Sequence, residues 1–383
     1  AQQVTQFVRQ SGIYQVQGRA HVNLYQLFVE RALQLVRPGG RVGFVVPSGL
    51  VSDAGAAPLR RHLFDRAAVD EVTGFDNRLA IFPVHRSVRF VLFTCTAGQQ
   101  TSAVRCRFGL TSADDLEWRA KAPLVLARRL LVKLSGDDDL GVPELATETD
   151  LAIVESVSSS TPRLGAQEGW SVAFGRELNA SDDRALFVPI TAESTGRPVI
   201  EGKQVDPFRV HVSRSRLAVQ SSAVTDRRVP RRARLAYRDI ASATNRLTLI
   251  AAIVPPRAVT THTLFCLKTR LPLAEQQVLC ALLNSFVANY LVRLRVNTHV
   301  TVALVSRLPV PVIRGDHPLF QRLRVLSESL TRSPTAVEMM PDSATNVKEG
   351  REGDGTGSEL EDGFFASPVL VDLDADGKLE IIG

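Results

Sequence analysis

The sequence predicts an α/β chain: an incomplete doubly wound sheet, then an α+β domain, then a flexible acidic tail. Three observations lead to this. Helical and strand-like segments alternate over the first 96 residues. A second folded region begins near residue 169, and a segment rich in Gly, Glu, Asp and Ser begins after residue 333. We therefore expect a partial sheet in residues 1–108, a connector in 109–168, a second domain in 169–333, a linker in 334–363 and a separate terminal segment in 364–383.

The elements of the first part follow from periodicity. Residues 23–36 predict an amphipathic helix. Its apolar positions recur at helical spacing: Leu24, Leu27, Phe28, Ala32 and Leu35. Residues 41–47 (RVGFVVP) form a β-branched run typical of a strand buried on both faces. A helix over 58–68 and strands near 69–75 and 88–96 complete the alternation of a doubly wound sheet.

Later elements are less regular. We expect a helix over 122–134 inside the connector, and short β-like stretches at the start of the second domain. A long helical pattern over 274–295 closes that domain, followed by the apolar segment RLPVPV.

The charge of the chain is unevenly distributed. The net charge is +6, but the residues from Thr335 onward contain 12 acidic and 3 basic side chains, which leaves +15 on residues 1–334. Such a basic body favours a polyanionic partner, usually nucleic acid. The alternative is a general bias towards arginine. No run approaches 18 apolar residues and the N-terminus has no apolar leader, so we expect neither a membrane span nor a secretory signal.

The number and spacing of the cysteines indicate the redox state of the cellular compartment. Cys95, Cys106, Cys266 and Cys280 are far apart and form no CxxC pair, which disfavours a zinc site or a disulfide framework. A reducing, cytoplasmic location is therefore expected. Because the chain starts at Ala1 instead of Met, we also expect it to begin inside a longer protein.

Two segments carry a resemblance to a known family. Residues 23–50, NLYQLFVERALQLVRPGGRVGFVVPSGL, resemble the helix and strand that follow the catalytic motif of γ-class adenine-N6 DNA methyltransferases of restriction–modification systems. Residues 81–94, IFPVHRSVRFVLFT, resemble the motif whose aromatic residue stacks on the target adenine. The resemblance covers residues 1 to about 96. It implies that Phe82 stacks on the flipped base and that Phe28 lies beside the S-adenosylmethionine cofactor.

Physical reasoning agrees with those roles. The exocyclic amine of a paired adenine is inaccessible inside the duplex, so the base must be extruded before methyl transfer. An aromatic ring then replaces the lost stacking and recovers about 1–3 kcal/mol. Pro47 would end its strand at the carboxyl edge of the sheet, where ligands of open α/β sheets bind. The alternatives are that Phe28 belongs to the helix core and Phe82 to the core at a strand end.

Two motifs that the family requires do not occur in the sequence. These are a glycine-rich cofactor loop after the first strand and a catalytic tetrapeptide of the form [DNS]-P-P-[YFW]. The pair Pro255-Pro256 lies between Val254 and Arg257, which are the wrong flanking residues. The order of motifs in the family would place both upstream of residue 1, so we expect this chain alone to be inactive.

The arginine-rich segment, residues 209–246, predicts DNA contact. It contains ten Arg and two Asp, with no Lys or Glu. The planar guanidinium grips phosphate and reads guanine through two hydrogen bonds. The alternative is an ordinary solvated surface.

Residues 199–208, 233–246 and 282–312 resemble the C-terminal specificity domain of the same methyltransferases. The resemblance implies a target-recognition domain that binds double-stranded DNA. Its candidate DNA contacts are Lys203, Arg238, Asn245 and Arg246. We assign Asn284 and Ser285 to helix packing. His262 and His299 lack a Ser or Cys partner, and we interpret both as polar contacts within the domain.

The terminal segment has a different character. Asp372, Asp374 and Asp376 alternate before Gly377, a pattern that gathers hard oxygen ligands for Ca²⁺. It is not an EF-hand, because the twelfth position is Gly383 and no helices flank it. It resembles a single FG-GAP-type repeat, and one repeat cannot close a propeller. A fused or misjoined reading frame would explain it.

Three hypotheses remain. The first is a fragment of an S-adenosylmethionine-dependent adenine-N6 DNA methyltransferase that flips its target base, with an endonuclease domain or subunit as a further partner. The second is a non-catalytic DNA-binding specificity subunit. The third is an extracellular calcium-binding adhesion protein, which only the tail favours and which the thiols and the arginine-rich segment disfavour.

Overall fold

The structure is a computed structural model of the chain. It describes residues 2–17, 23–116, 122–191, 196–220, 222–225, 228–241, 247–296, 299–332, 369–371 and 380–382. The chain forms two compact units. Unit 1 comprises Ala1–Val172, Leu291–Val296 and Thr301–Val312. Unit 2 comprises Ala173–Tyr290, Asn297–Val300 and Ile313–Gly383.

Helices and strands are numbered along the chain. The α-helices of the described residues are α1 (Gln2–Gln10), α2 (Leu24–Leu35), α3 (Gly49–Ser52), α4 (Ala57–Arg66), α5 (Arg128–Ser135), α6 (Glu148–Ser160), α7 (Leu273–Leu283), α8 (Phe286–Arg293), α9 (Val302–Ser306) and α10 (Phe320–Arg332). The strands of unit 1 are β1 (Arg41–Pro47), β2 (Ala67–Asp76), β3 (Arg89–Ala97), β4 (Ala103–Leu110) and β5 (Leu124–Ala127). Those of unit 2 are β6 (Phe174–Gly175), β7 (Phe187–Pro189), β8 (Arg197–Ile200), β9 (Val205–Asp206), β10 (Arg209–Val210), β11 (Leu217–Val219), β12 (Arg234–Arg238), β13 (Ala251–Val254), β14 (Val259–Thr260), β15 (Leu264–Leu267), β16 (Val369–Val371) and β17 (Glu380–Ile382).

Unit 1 is built on one mixed sheet with strand order β1-β3-β2-β4-β5. Strand β3 is antiparallel to both β1 and β2, so β1 and β2 run parallel to each other, and α3 and α4 form the crossover between them. Leu59, Leu63 and Phe64 of α4 are fully buried. The α/β fold class predicted for this part is confirmed, as are the helices and strands expected between residues 23 and 97.

Two expectations about burial in unit 1 are wrong. Strand β1 is an edge strand whose residues are mostly half-buried or exposed, because only β3 pairs with it among the described residues. Helix α2 buries Gln26, Leu27, Val29 and Glu30, while Leu24, Phe28 and Leu35 of its predicted apolar face are exposed. Burial of Glu30 is compensated by hydrogen bonds. Its carboxylate accepts from the backbone N–H groups of Gln15 and Val16 and from the side-chain amide of Gln17.

Residues 109–168 differ from the expected connector. Strand β5 pairs with β4, and the expected helix over 122–134 is divided into β5 and α5. The carboxylate of Asp139 binds the guanidinium of the buried Arg60, and also that of Arg307 at 2.6 Å. This segment is therefore an integral part of unit 1.

A late stretch of chain completes unit 1. The backbone N–H of Leu164 donates to the carbonyl of Leu308 at 2.8 Å, and the indole N–H of Trp170 donates to the carbonyl of Pro311 at 2.9 Å. Trp170 is almost wholly buried.

Unit 2 contains two four-stranded sheets. Their strand orders are β13-β12-β15-β6 and β14-β8-β11-β7, and β9 and β10 form a separate two-stranded ribbon. Short strands with helices placed after them agree with the α+β class that the sequence predicts. The first sheet packs into a core that includes Ala236, Ala252, Val254, Leu264 and Cys266.

The helical pattern over 274–295 forms two helices, α7 and α8, instead of one. Asn284 lies at the end of α7, and its side chain binds a neighbouring strand: its amide oxygen accepts a hydrogen bond from the N–H of Ala251 at 3.0 Å, and its amide nitrogen donates to the carbonyl of Ala251 at 2.8 Å. Asn284 thus joins α7 to β13, as the packing interpretation requires. In the terminal segment, β16 and β17 pair antiparallel.

Candidate nucleic-acid interface

The loop between β2 and β3, residues 77–88, lies at one edge of the sheet of unit 1. Pro47 at the end of β1 pairs with Phe90, and Asp76 at the end of β2 pairs with Arg89. The carboxyl ends of two parallel strands therefore meet at the base of this loop. Ligands of open α/β sheets bind at such edges.

Asn77 determines the shape of this loop. Its side chain is fully buried, and its carbonyl oxygen accepts a hydrogen bond from the N–H of Phe82 at 2.9 Å. Its amide nitrogen donates to the carbonyls of Phe82 at 3.1 Å and Val84 at 3.3 Å. Ala80 adopts a left-handed conformation with φ of 59°, which lets the chain turn between these contacts. One buried amide therefore fixes the backbone of Phe82.

The ring of Phe82 ends a row of three aromatic rings. Phe75 and Phe90 stack with ring centroids 5.0 Å apart, and Phe82 meets Phe90 edge-on at 4.9 Å. Phe75 and Phe90 are buried, whereas Phe82 remains 39% exposed. An edge-to-face pair stabilises by about 0.5–1.5 kcal/mol beyond burial. Phe82 is thus a positioned but open ring, intermediate between the core and ligand-facing alternatives.

The rest of the loop also exposes apolar side chains. The large ones are Leu79, Val84 and Val88. A local group of exposed apolar residues is typical of a binding surface. The loop therefore offers an apolar, aromatic-containing tip at a sheet edge that suits a ligand.

A charged pair lies at the base of the loop. Arg89 donates to the carboxylate of Glu144 at 2.8 Å. Burial raises the pKa of Glu144; Arg89 opposes that rise, and nearby Asp76 adds to it. Asp76 also accepts a hydrogen bond from the N–H of Arg78 at 2.9 Å, which caps the turn that follows β2.

Phe28 is 70% exposed on α2, so the helix-core alternative is wrong for the described residues. Its neighbours Leu24 and Leu35 are exposed as well. No described residue covers this ring, which leaves the cofactor-side role from the resemblance as a proposal.

In unit 2, part of the arginine-rich segment is internal. Arg234 is buried and makes a two-point ion pair with the carboxylate of Glu177, at 2.5 and 2.6 Å. Glu177 also accepts from the N–H and hydroxyl of Thr260. This arginine supports the sheet and cannot reach DNA.

Arg238 is half-buried at the end of β12. Its guanidinium lies 3.2 Å from Asp206, which His211 also contacts at 2.7 Å. Burial lowers the pKa of Arg238, and Asp206 partly offsets this. Lys203, which precedes Asp206 by three residues, is exposed, and its ammonium group lies 2.8 Å from the carboxylate of Glu201. The structure therefore brings Lys203 and Arg238 to the same ribbon of unit 2, with Arg238 the more enclosed of the two.

The remaining predicted site residues lie in segments that the structure does not describe. Asn245 and Arg246 lie outside the described residues, as do Asp372, Asp374 and Asp376. In the part of the chain that the structure describes, no group of His, Cys, Asp or Glu is arranged to hold a metal ion. No described helix has the length and apolarity needed to cross a membrane.

Both histidines make contacts within unit 2. His262 accepts a hydrogen bond from the N–H of Ala180 at 3.1 Å. His299 lies 3.2 Å from the carboxylate of Asp239, which also binds Arg176 at 2.8 Å. Sequence reasoning missed Arg176, because it precedes the arginine-rich segment and stands alone. Asn77 was missed as well, although an Asn directly after a strand and before a proline-containing loop is a usable signal.

Comparison with known proteins gives one family match. The model of the Eco57I restriction-modification methylase family matches residues 4–82, a range that includes Phe28 and Phe82. We found no curated protein with significant similarity to the chain.

Solved structures of restriction–modification enzymes resemble the fold. A Type IIL restriction-modification enzyme, MmeI in complex with DNA, has a TM-score of 0.52 at 10% identity, covering 87% of this chain and 47% of that one. The type IIG restriction endonuclease BpuSI has a TM-score of 0.36 at 12% identity, covering 85% and 46%. A DrdV–DNA complex has a TM-score of 0.43 at 11% identity, covering 84% and 41%. The chain thus spans less than half of each of these proteins, and it shares the fold of the matched part of the Type IIL enzyme.

Proposed function

We propose that this chain is part of a site-specific DNA methyltransferase of a restriction–modification system that acts on adenine N6. Unit 1 would hold the extruded base and unit 2 would bind the duplex. The observation that carries the proposal is the open ring of Phe82, fixed by Asn77 at the carboxyl edge of β1 and β2. The family match over residues 4–82 and the fold shared with a DNA-bound restriction-modification enzyme support it.

The chemistry explains why such a ring is needed. An adenine that leaves the duplex loses its stacking and pairing, which costs a few kcal/mol. Stacking on one aromatic ring returns about 1–3 kcal/mol. The backbone of Phe82 is already fixed by two hydrogen bonds to Asn77, so little additional ordering is required when the base arrives. The chain would therefore stabilise the extruded state and would not form or break the methyl bond itself.

The proposed cofactor is S-adenosylmethionine, which supplies the methyl group. The exposed ring of Phe28 on α2 fits the planar adenine of such a cofactor. The sequence contains no glycine-rich loop after a strand to hold the remainder of the molecule. We therefore assign only Phe28 of this chain to the cofactor, as one wall of its site.

The first prediction tests Phe82 in the gene product that carries this chain together with its methylation activity. Phe82→Ala should slow methylation about ten- to a hundredfold, since it removes the stacking surface of the extruded base. Phe82→Trp should retain most activity, because another broad ring can stack. The measurement is transfer of labelled methyl groups to duplex DNA, followed by analysis of the methylated nucleoside.

Val125→Ala is the matched control, as an exposed apolar residue of the same unit that lies on β5, outside the loop. It should methylate at close to the parent rate. A stably folded Phe82→Ala protein with the parent rate would remove Phe82 from the site. A product other than N6-methyladenine would disprove the adenine-N6 assignment.

A second candidate function is a non-catalytic DNA-binding specificity subunit. The lack of an [DNS]-P-P-[YFW] tetrapeptide in the sequence favours it. The two candidates differ in whether a gene product that contains this chain methylates DNA. If the 383-residue chain binds duplex DNA but not S-adenosylmethionine in calorimetry, and no gene product that contains it methylates DNA, the subunit function is correct.

A further inference from the structure

Arg176, Asp239 and His299 form a compact charged group in unit 2, which we call the Asp239 group. The carboxylate of Asp239 has only 4% of its surface exposed. One of its oxygens lies 2.8 Å from the guanidinium of Arg176, and the other lies 3.2 Å from Nδ1 of His299. One buried carboxylate therefore orients two basic side chains.

Both basic side chains remain open to solvent. Arg176 is 49% exposed and His299 is 54% exposed. A guanidinium has five N–H donors, and one of them is used on Asp239. For Arg176, no other hydrogen bond is made within the described residues. With Nδ1 of His299 directed at Asp239, Nε2 is the ring nitrogen left for a ligand.

The surrounding structure holds the group rigidly. The guanidinium carbon of Arg176 lies 4.8 Å from the centre of the Phe265 ring, an arrangement that favours a cation. The carbonyl of Asp239 accepts from the N–H of Val300 at 2.6 Å, and its N–H donates to the carbonyl of Thr263 at 3.0 Å. Ordered donors bind an anion with less loss of side-chain entropy than flexible ones.

A second group in the same unit has the same residue types but is less exposed to solvent. Arg238, Asp206 and His211 repeat the same three residue types with similar contacts. Their basic side chains are only about 20% exposed. The Asp239 group therefore differs in accessibility, not in composition.

We propose that Arg176 and His299, braced by Asp239, bind a phosphate of the DNA backbone. The inference rests on the proposed function, because a polyanionic ligand of unit 2 is expected to be DNA. A phosphodiester suits the pair, since its two free oxygens can accept one hydrogen bond from each basic side chain. The group would position the duplex and would not read its sequence.

The test measures binding of a mixed-sequence 20-base-pair duplex by fluorescence anisotropy over a range of salt concentrations. Arg176→Ala and His299→Gln should each bind about five- to tenfold more weakly near 0.1 M salt, uniformly across sequences. Arg176→Ala should also lower the slope of log affinity against log salt by about one counterion, because it removes a positive charge. Arg176→Lys retains the charge and should restore the slope.

Arg61→Ala is the matched control. Arg61 is 51% exposed and lies 3.8 Å from the carboxylate of Asp65. It belongs to α4 of unit 1, outside the arginine-rich segment. Its replacement should leave affinity and slope within about twofold of the parent. If Arg176→Ala and His299→Gln bind like the parent, or if Arg61→Ala weakens binding as much as they do, the phosphate assignment is wrong, while DNA binding by the chain stands.

A second measurement separates this inference from the proposed function. If the parent chain does not bind the duplex, the proposed function fails, and the group is tested with inorganic phosphate alone. Phosphate should shift the ring resonances of His299 in the parent and not in Arg176→Ala. Unshifted resonances in the parent would remove the phosphate site.

Discussion

In unit 1 the loop of residues 77–88 exposes apolar side chains, whereas in unit 2 the arginine-rich segment encloses part of its charge. The loop turns apolar side chains such as Leu79 and Val84 towards solvent. The arginine-rich segment buries Arg234 and half-buries Arg238. The difference is made by polar partners: Asn77 fixes the loop backbone, Glu177 holds Arg234 in the interior, and Asp206 binds the half-buried Arg238. Residue type alone therefore does not tell which of two such segments faces a ligand.

The largest expected effect comes from replacing the buried Arg234. Arg234→Ala leaves the buried carboxylate of Glu177 without its ion-pair partner and should lower the free energy of unfolding by about 3–5 kcal/mol. Urea unfolding followed by circular dichroism measures the loss. Arg332→Ala, which removes an exposed i,i+4 pair with Glu328, is the control and should cost at most about 0.5 kcal/mol. Equal losses would show that the burial of Arg234 is not what stabilises unit 2.

The second prediction concerns the loop. Asn77→Ala removes three hydrogen bonds to the backbone of Phe82 and Val84 and should cost about 2–3 kcal/mol. Both tryptophans precede residue 173, so tryptophan fluorescence during urea unfolding reports on this part of the chain. Asn23→Ala is the control, because the side chain of Asn23 makes no capping bond to α2. A parent-like midpoint for Asn77→Ala would mean that the loop is held by other contacts.

The smallest expected effect is on the pH dependence of stability, which differs between the two units. Burial raises the pKa of Glu144 in unit 1 despite Arg89, so its contribution to stability falls as pH rises from the ordinary Glu range to the raised value. In unit 2, burial would raise the pKa of Asp183, but hydrogen bonds from Arg228 and Asn179 lower it. Its contribution is present above the ordinary Asp range and is lost as pH falls.

The measurement is the urea midpoint of each variant between about pH 2.5 and 7, a range that includes the ordinary Asp range and extends below it. Relative to the parent, Glu144→Gln should remove a slope of decreasing stability with pH, and Asp183→Asn should remove a slope of increasing stability. Slopes of the same sign in the two variants would contradict the assignment.

Much of the fold of unit 1 could be predicted from local sequence. Strand β1 has the predicted bounds, 41–47, because a β-branched run stands between Gly40 and Pro47. The break between α7 and α8 was not predicted: periodicity does not show that the residue at the break, Asn284, binds the backbone of Ala251, 33 residues away. The exposure of Phe28 was also unpredictable, because periodicity identifies an apolar face without identifying what covers it.

The candidate site was predictable only in part. Phe82 was found from its motif, and its open ring agrees with the ligand-facing alternative without testing it. The arginines could not be sorted from sequence. Glu177 stands 57 residues before Arg234, and Asp206 stands 32 residues before Arg238. Only the folded sheet brings these carboxylates to the guanidinium groups.

The late segments of unit 1 have a consequence for its biosynthesis. Leu308 and Pro311 bind the backbone of Leu164 and the indole of Trp170, yet about 140 residues separate Val172 from Val312. A ribosome adds roughly 5–20 residues per second, so translation of this stretch takes about 7–28 s. During that interval the nascent chain displays Trp170 without its final partner. Holdase chaperones that bind exposed apolar segments have their longest opportunity at this stage of synthesis.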